Sequence, residues 1–128
     1  MSQSPTRPPT PKKQSGNRAE ALARAYLEKQ GLSFCSANFL CKTGEIDLIM
    51  QDRDMLVFVE VRFRSATAHG SPAETITASK QRKLIRTASY FLQQRYGDRW
   101  PACRFDVIGI CGDLESGPNI HWIPSAFY

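Results

Sequence analysis

Gly44-Glu45-Ile46-Asp47-Leu48-Ile49-Met50, then Gln51-Asp52-Arg53-Asp54, then Met55-Leu56-Val57-Phe58-Val59-Glu60-Val61-Arg62-Phe63 is the stretch that decides the fold. Two apolar runs flank a polar turn, which predicts a hairpin of strands Glu45–Met50 and Met55–Phe63. Side chains alternate faces along a strand. Glu45 and Asp47 therefore share one face of the first strand. Leu56, Phe58, Glu60 and Arg62 share a face of the second, while Val57, Val59, Val61 and Phe63 take the other and read as core. A turn centred between Asp52 and Arg53 sets Glu45 opposite Glu60 and Asp47 opposite Phe58. Glu45, Asp47, Glu60 and Arg62 then lie on one face of the ribbon. A three-residue turn would throw Asp47 and Glu60 to opposite faces, so the register is decisive.

Directly opposed carboxylates destabilise a sheet. Placing Glu60 inside an apolar strand adds a desolvation cost. A divalent cation relieves both, and Mg²⁺ takes carboxylate oxygens while keeping waters for a phosphate substrate. The same spacing also fits a solvated strand face on which Glu60 pairs with Arg62 or Arg64.

Working outward, apolar residues recur at Ala19, Leu22, Ala23, Tyr26 and Leu27, which predicts a helix over 17–30 with Asn17 as N-cap and Gly31 as its stop. Glu20 sits on the flank of that stripe. It can reach the edge of a sheet packed beneath, or pair with Arg24 one turn on. Leu32 to Asn38 reads as a strand. Residues 65–72 read as a loop with Gly70 and Pro72. Thr77 to Tyr96 reads as a long helix stopped by Gly97, with Leu84, Ile85, Ala88, Phe91 and Leu92 as its apolar stripe. Arg82, Lys83 and Arg86 point away from that stripe, and Lys80 lies on its flank. Such a basic face suits a phosphate backbone, or is simply solvated. Cys103 to Cys111 and Ile120 to Ile123 are further strands. The order is α-β-β-β-α-β-β, an α/β class.

The 128 residues allow one domain, with 41% hydrophobic and 23% charged residues. Residues 1–15 hold four of the eight prolines and three bases, and read as a disordered basic tail before a single domain at 16–128. The run Met55 to Val59 is too short for a transmembrane helix, and no apolar signal segment opens the chain. Cys35, Cys41, Cys103 and Cys111 form no C-x-x-C pair and read as reduced thiols of a cytoplasmic protein. His69 reads as a loop residue. His121, Trp122, Phe127 and Tyr128 read as core or terminal anchoring. Charge is segregated: residues 16–61 hold five bases and seven acids, whereas 62–104 hold nine bases and two acids. An acidic pocket beside a basic surface is what a nuclease needs.

The stretches Gly44-Glu45-Ile46-Asp47-Leu48-Ile49 and Leu56-Val57-Phe58-Val59-Glu60-Val61-Arg62 closely resemble the YraN-like uncharacterised bacterial protein family. So do Gly16 and Glu20 in the first helix, Lys80 in the second, and Arg104-Phe105-Asp106-Val107. That family is similar to the PD-(D/E)-x-K nuclease superfamily of restriction endonucleases and archaeal Holliday-junction resolvases. The resemblance implies a restriction endonuclease-like fold, a central mixed β-sheet flanked by α-helices. It also implies Mg²⁺- or Mn²⁺-dependent hydrolysis of a nucleic-acid phosphodiester, with DNA before RNA as partner and branched or structured DNA among the substrates. By position, Asp47 matches the motif's Asp, Glu60 its acidic residue and Arg62 its Lys. Glu20 resembles the first-helix Glu of the resolvase branch. Glu20, Asp47, Glu60 and the Val61 carbonyl would hold metal. Lys80, Gln81, Arg82, Lys83 and Arg86 would bind nucleic acid, Gln81 loosely matching a Gln some members carry. Glu45 belongs to the YraN-like pattern as an accessory residue. Resolvases are dimers, which raises a homodimer. Arg62 departs from the motif: arginine is always charged and cannot act as a general base. The alternative is therefore a nucleic-acid-binding module on the same scaffold without catalysis.

Overall fold

A computed structural model describes residues 11–64, 76–112 and 117–127. Its elements are α1 (Pro11–Lys29), β1 (Ser33–Cys41), β2 (Gly44–Asp52), β3 (Met55–Arg64), α2 (Ala78–Tyr96), β4 (Cys103–Cys111) and β5 (Asn119–Phe127). The α-β-β-β-α-β-β order is the one the sequence predicts. Helix α1 starts at Pro11, before the expected Asn17, so the compositional boundary at residue 15 falls inside a helix. Proline is tolerated in a first helical turn, where its missing N–H has no partner to lose. The rest of the basic tail, the loop at 65–72 with His69, and Tyr128 lie outside the described residues.

The five strands form one sheet in the order β1-β2-β3-β4-β5. Neighbours are antiparallel except β3 and β4, which run parallel. A parallel pair needs a crossover, and α2 lies in the connection between them. The sheet is therefore mixed. Each face is covered by a helix: Ala19, Ala23 and Leu27 of α1 pack with Leu48, Met50, Val57, Val59, Ile108 and Ile110. Leu84, Ala88, Phe91 and Leu92 of α2 pack with Ile46, Ile49, Leu56, Phe58, Phe105 and Val107 on the other face. Both faces of β3 are thus core near its start, not only the valine face, which is why it reads as an almost unbroken apolar run. Phe63, expected in the core, is instead 39% exposed near the strand's end. Phe58 stacks on Phe105 at 5.3 Å and meets Phe91 edge-on at 6.0 Å between ring centroids. Each such side chain, fully buried, contributes about 1.5–3 kcal/mol.

The β2–β3 turn lies one residue later than expected. Asp52 pairs with Met55, leaving Arg53 and Asp54 as a two-residue turn in which Arg53 takes φ 60°. The turn centre moves by one residue and the register by two. Phe58 therefore faces Ile49, not Asp47, and Glu45 does not face Glu60. A shift of two preserves the alternation of faces. The β2–β3 ladder ends at Leu48–Val59, so β2 parts from β3 at Asp47. At the same point the alternation slips, because Ile46 joins the α2-side core while Leu48 joins the α1-side core.

The second turn is clamped. Thr43 Oγ1 lies 2.8 Å from Thr87 Oγ1 on α2, and Thr87 donates to the Lys83 carbonyl at 2.8 Å. Gly44 adopts φ 149°, and a Cβ there would stand 3.3 Å from Thr87 Oγ1. A glycine is what this close approach requires. Helix α2 begins as predicted: the Thr77 side chain accepts from the Lys80 N–H at 3.1 Å.

A second buried carboxylate belongs to the scaffold. Asp106 is fully buried in β4. It accepts from Arg104 Nε at 3.0 Å, Trp122 Nε1 at 2.9 Å and the Ser125 N–H at 2.9 Å. Ser125 takes φ 52°. Arg104 also reaches Asp52 Oδ2 at 3.0 Å, tying the β2–β3 turn to β4. Trp122 and Phe127 anchor the last strand as expected: Trp122 meets Tyr26 edge-on and Phe127 stacks on Phe105. His121 is exposed on β5 opposite Gly109. Among the described residues no helix is long and apolar enough to cross a membrane.

Asp106→Asn removes the charge that three donors share, the half-buried Arg104 guanidinium among them. Asp106→Asn is expected to lower unfolding free energy by about 2–3 kcal/mol, the range for a hydrogen bond to a charged group left unmade. Urea denaturation checks this, and an unchanged midpoint refutes it.

Candidate functional site

The parting of β2 and β3 creates the site. Where the ladder stops, the Asp47 side chain takes over: its Oδ2 accepts the Val61 N–H at 2.8 Å. Asp47 is half-buried and Glu60 is only 6% exposed. That burial excludes the solvated-face reading of Glu60. Two cations still converge on it: Arg62 Nη1 at 3.6 Å and Lys80 Nζ at 3.8 Å from Oε2. Arg62 comes from the same strand, two residues on. Lys80 reaches in from the first turn of α2, the backward reach that its flank position predicts. The side chain of Arg64 lies outside the described residues.

The carboxylates disturb one another. Burial, and then the Asp47 charge, push Glu60 from 4.5 to about 7, with Lys80 and Arg62 opposing the rise. Burial also raises Asp47 against the pull of the Val61 N–H, Glu60 and the same two cations. Near neutral pH Glu60 is therefore only partly deprotonated.

Glu20 approaches from α1 on the side away from Lys80. Burial, followed by the charges of Asp47 and Glu45, pushes it from 4.5 to about 7. It does not pair with Arg24, which instead binds Glu28 at 3.1 Å and covers the Phe34 ring. Asn38 lies in β1 between the pairs Ala37–Leu48 and Phe39–Ile46, at φ 55°. With its NH₂ turned toward the acids, it donates to Glu20 Oε1 at 3.0 Å and Glu45 Oε2 at 3.2 Å. Glu45 is exposed and belongs to this outer bridge, not to a pair with Glu60.

The expected residues thus fall into groups. Asp47, Glu60, Val61, Arg62 and Lys80 meet at one point, with Glu20 beside Asp47. Among the described residues no three His, Cys, Asp or Glu side chains stand close enough to form a ready-made metal cluster. Arg82, Lys83 and Arg86 are exposed along α2. Gln81 is turned back, donating to the Ile76 carbonyl at 3.2 Å, and helps to hold the helix start. Asn38 was not foreseen. Its one signal is an asparagine inside a strand, where that residue is disfavoured.

A family model described as "Uncharacterised protein family UPF0102" matches residues 19–110. A UPF0102 protein of Pseudomonas savastanoi pv. phaseolicola is 44% identical over 120 residues, covering 94% of this chain and 98% of that one. One from Vibrio campbellii is 47% identical over 116 residues, covering 90% and 93%. One from Coxiella burnetii is 49% identical over 111 residues, covering 87% and 89%. The matched span runs from the helix that carries Glu20 to the strand that carries Asp106, and the chain belongs to the uncharacterised UPF0102 (YraN-like) family.

Proposed function

We propose that this protein is a Mg²⁺- or Mn²⁺-dependent nucleic-acid phosphodiester hydrolase, an endonuclease-like enzyme acting on DNA before RNA in the cytoplasm. The observation that carries the reading is the buried Asp47–Glu60 pair with Arg62 and Lys80 focused on it. A buried carboxylate raised by burial and by the charge of a half-buried neighbour is costly, and the fold of a purely structural protein gains nothing by keeping it.

The donor chemistry fits a hard divalent cation. Mg²⁺ is usually held by one or two carboxylates, with waters and substrate phosphates completing its shell. Asp47 and Glu60 supply two carboxylates, and the Val61 carbonyl is the next oxygen along β3. Glu20 would act from an outer position, through water. Such a cation supplies charge neutralisation at the phosphate and a lowered pKa for water. The remaining work falls to the side chains. Arg62 would bind the phosphate oxygens and stabilise the charge that builds on them. Lys80 would stand where the motif's lysine is missing from β3: a short ammonium delivered from α2, set beside Glu60, to orient the attacking water. Lys83, Arg82 and Arg86 continue the positive surface along α2 for the backbone.

The pH dependence has a definite sign. Glu60 and Glu20 have folded-state values of about 7 against 4.5 unperturbed. Their raised values stabilise the fold fully below pH 4.5, and that contribution is lost as pH rises through about 7. A cation needs the deprotonated form, so it binds better as the same window is crossed. Calorimetry with Mn²⁺ should therefore show affinity at pH 8 at least tenfold above that at pH 5.5, with Asp47→Ala and Glu60→Ala abolishing it. Without metal at pH 8, Glu60→Gln should raise the melting temperature by about 4 °C, since it mimics the protonated acid. Equal Mn²⁺ affinity at both pH values, or a Glu60→Ala variant that binds as well as wild type, refutes the assignment.

Cleavage is the direct test. Labelled single-stranded, duplex and branched DNA, and RNA, are incubated with Mg²⁺ or Mn²⁺. Wild type should cleave, Asp47→Ala should not, and Lys80→Ala and Arg62→Ala should each lose about 10²-fold or more. Arg62→Lys should keep more activity than Arg62→Ala. Nucleic-acid binding without cleavage, unaltered by Asp47→Ala, would establish the non-catalytic module that Arg62 suggests.

A further inference from the structure

On the α2 side of the sheet, away from the carboxylates, a groove of about 870 Å³ runs between the end of β1 and the C-terminal half of α2. Phe39, Leu40, Lys42, Arg86, Tyr90 and Trp100 line it, and no acidic side chain does. Leu40, Tyr90 and Trp100 are 72%, 50% and 46% exposed. Large aromatic rings left in water beside cations are a surface looking for a ligand.

The rings are also held in place. Trp100 Nε1 donates to the Gly97 carbonyl at 2.7 Å, which fixes the indole beside the helix end. Tyr90 leans on Phe39 at 6.3 Å between centroids, and Phe39 is braced edge-on by Phe91 at 5.1 Å. Ordering such side chains before binding lowers the cost of using them.

Helix geometry links the groove to the carboxylate site. Lys80, Lys83, Arg86 and Tyr90 recur at spacings of three and four, which places them along one side of α2. From Lys80 to Tyr90 the helix rises about 15 Å. At the 3.4 Å spacing of a duplex strand that length holds about four nucleotides, and an extended single strand covers it with fewer. Aromatic faces beside a positive track are the features that bind single strands without regard to sequence, because every base has a π-face and every nucleotide a phosphate. In a duplex those faces are stacked on one another and not available.

We propose that the groove stacks the unpaired bases of a nucleic-acid single strand, whose backbone runs along Arg86 and Lys83 toward Asp47 and Glu60. The direction of the strand rests on reading that pair as a phosphodiester site. The substrate class is then a nucleic acid with a single-stranded arm, and the groove selects it over a blunt duplex.

The test uses the full chain in EDTA, which prevents cleavage. Fluorescence anisotropy is read with a labelled oligo-dT of about 15 nucleotides, within the range of single-strand site sizes, and with a blunt duplex of equal length. Wild type should bind the single strand more tightly. Tyr90→Ala and Trp100→Ala should each weaken it about tenfold, Tyr90→Phe should restore it, and duplex affinity should hardly change. Binding should quench tryptophan fluorescence in wild type and leave it unquenched in Trp100→Phe. Unchanged Mn²⁺ titrations in the alanine variants confirm that the fold and the carboxylate pair are intact. Wild-type affinity in both alanine variants overturns the inference. So does a concentration-dependent dimer that Trp100→Ala dissociates without altering oligonucleotide binding, since the groove would then hold a second copy of the chain. Cleavage of blunt duplex with no single-strand preference overturns the groove and leaves the hydrolase reading standing. Tyr90- and Trp100-dependent binding with no metal-dependent cleavage does the reverse.

Discussion

The Asp47–Glu60 pair is the constraint on which the site depends. Burying two carboxylates side by side is expensive in a low-dielectric setting, and the cost is met locally. Asp47 accepts the Val61 N–H that the ladder would otherwise have left without a partner. Arg62 and Lys80 stand against Glu60 and oppose the rise that burial imposes on it. Everything nearby follows from that. β2 has to leave β3 at Asp47, or its side chain could not turn into the gap. α2 has to begin near the gap, or Lys80 could not reach it.

The scaffold holds this arrangement from two sides. On one, the Thr43–Thr87 contact and the glycine at 44 pin the turn before β2 against α2, which fixes where Asp47 enters the site. On the other, Asp106 gathers Arg104, Trp122 and the Ser125 N–H, and Arg104 continues to Asp52 at the far end of the hairpin. The two buried acids contrast instructively. Asp106 is surrounded by donors and has a paired guanidinium, so its charge is satisfied inside the protein. Asp47 and Glu60 face each other, and their cations lie at 3.6 and 3.8 Å, beyond good hydrogen-bond distance. Satisfied buried charge is architecture. A buried carboxylate whose cations stand at such distances leaves room for a further cation.

Much of the fold was legible because its signals are local. The apolar run of β3, the Thr77 cap and the Gly97 stop mark elements by composition alone. The presence of an acidic pair was legible too, since alternation puts Glu60 and Asp47 on related faces whether the register moves by none or by two. The partners within the pair were not. Turn position sets register, and a left-handed Arg53 centres a two-residue turn one residue later than the alternation suggests. Asn38, Thr87 and Trp100 were hidden for a related reason. Each matters through contacts between elements far apart in the chain, and no periodicity records those.

Arg62 is the residue that separates the proposed hydrolase from a binding module. A guanidinium beside a buried carboxylate that it does not grip is a poor structural ion pair. The same guanidinium is well placed for a second anion arriving from solvent, because it is still partly exposed while Glu60 is not. Lys80 is in the same position on the opposite side, more exposed again. A phosphate entering between them would gain two cations at once. A divalent ion on Asp47 and Glu60 would offset the burial that raises both carboxylates. In the proposed hydrolase, an arginine on β3 and a lysine from α2 would divide between two elements what the motif gives to one lysine: charge for the phosphate from one, orientation of water from the other.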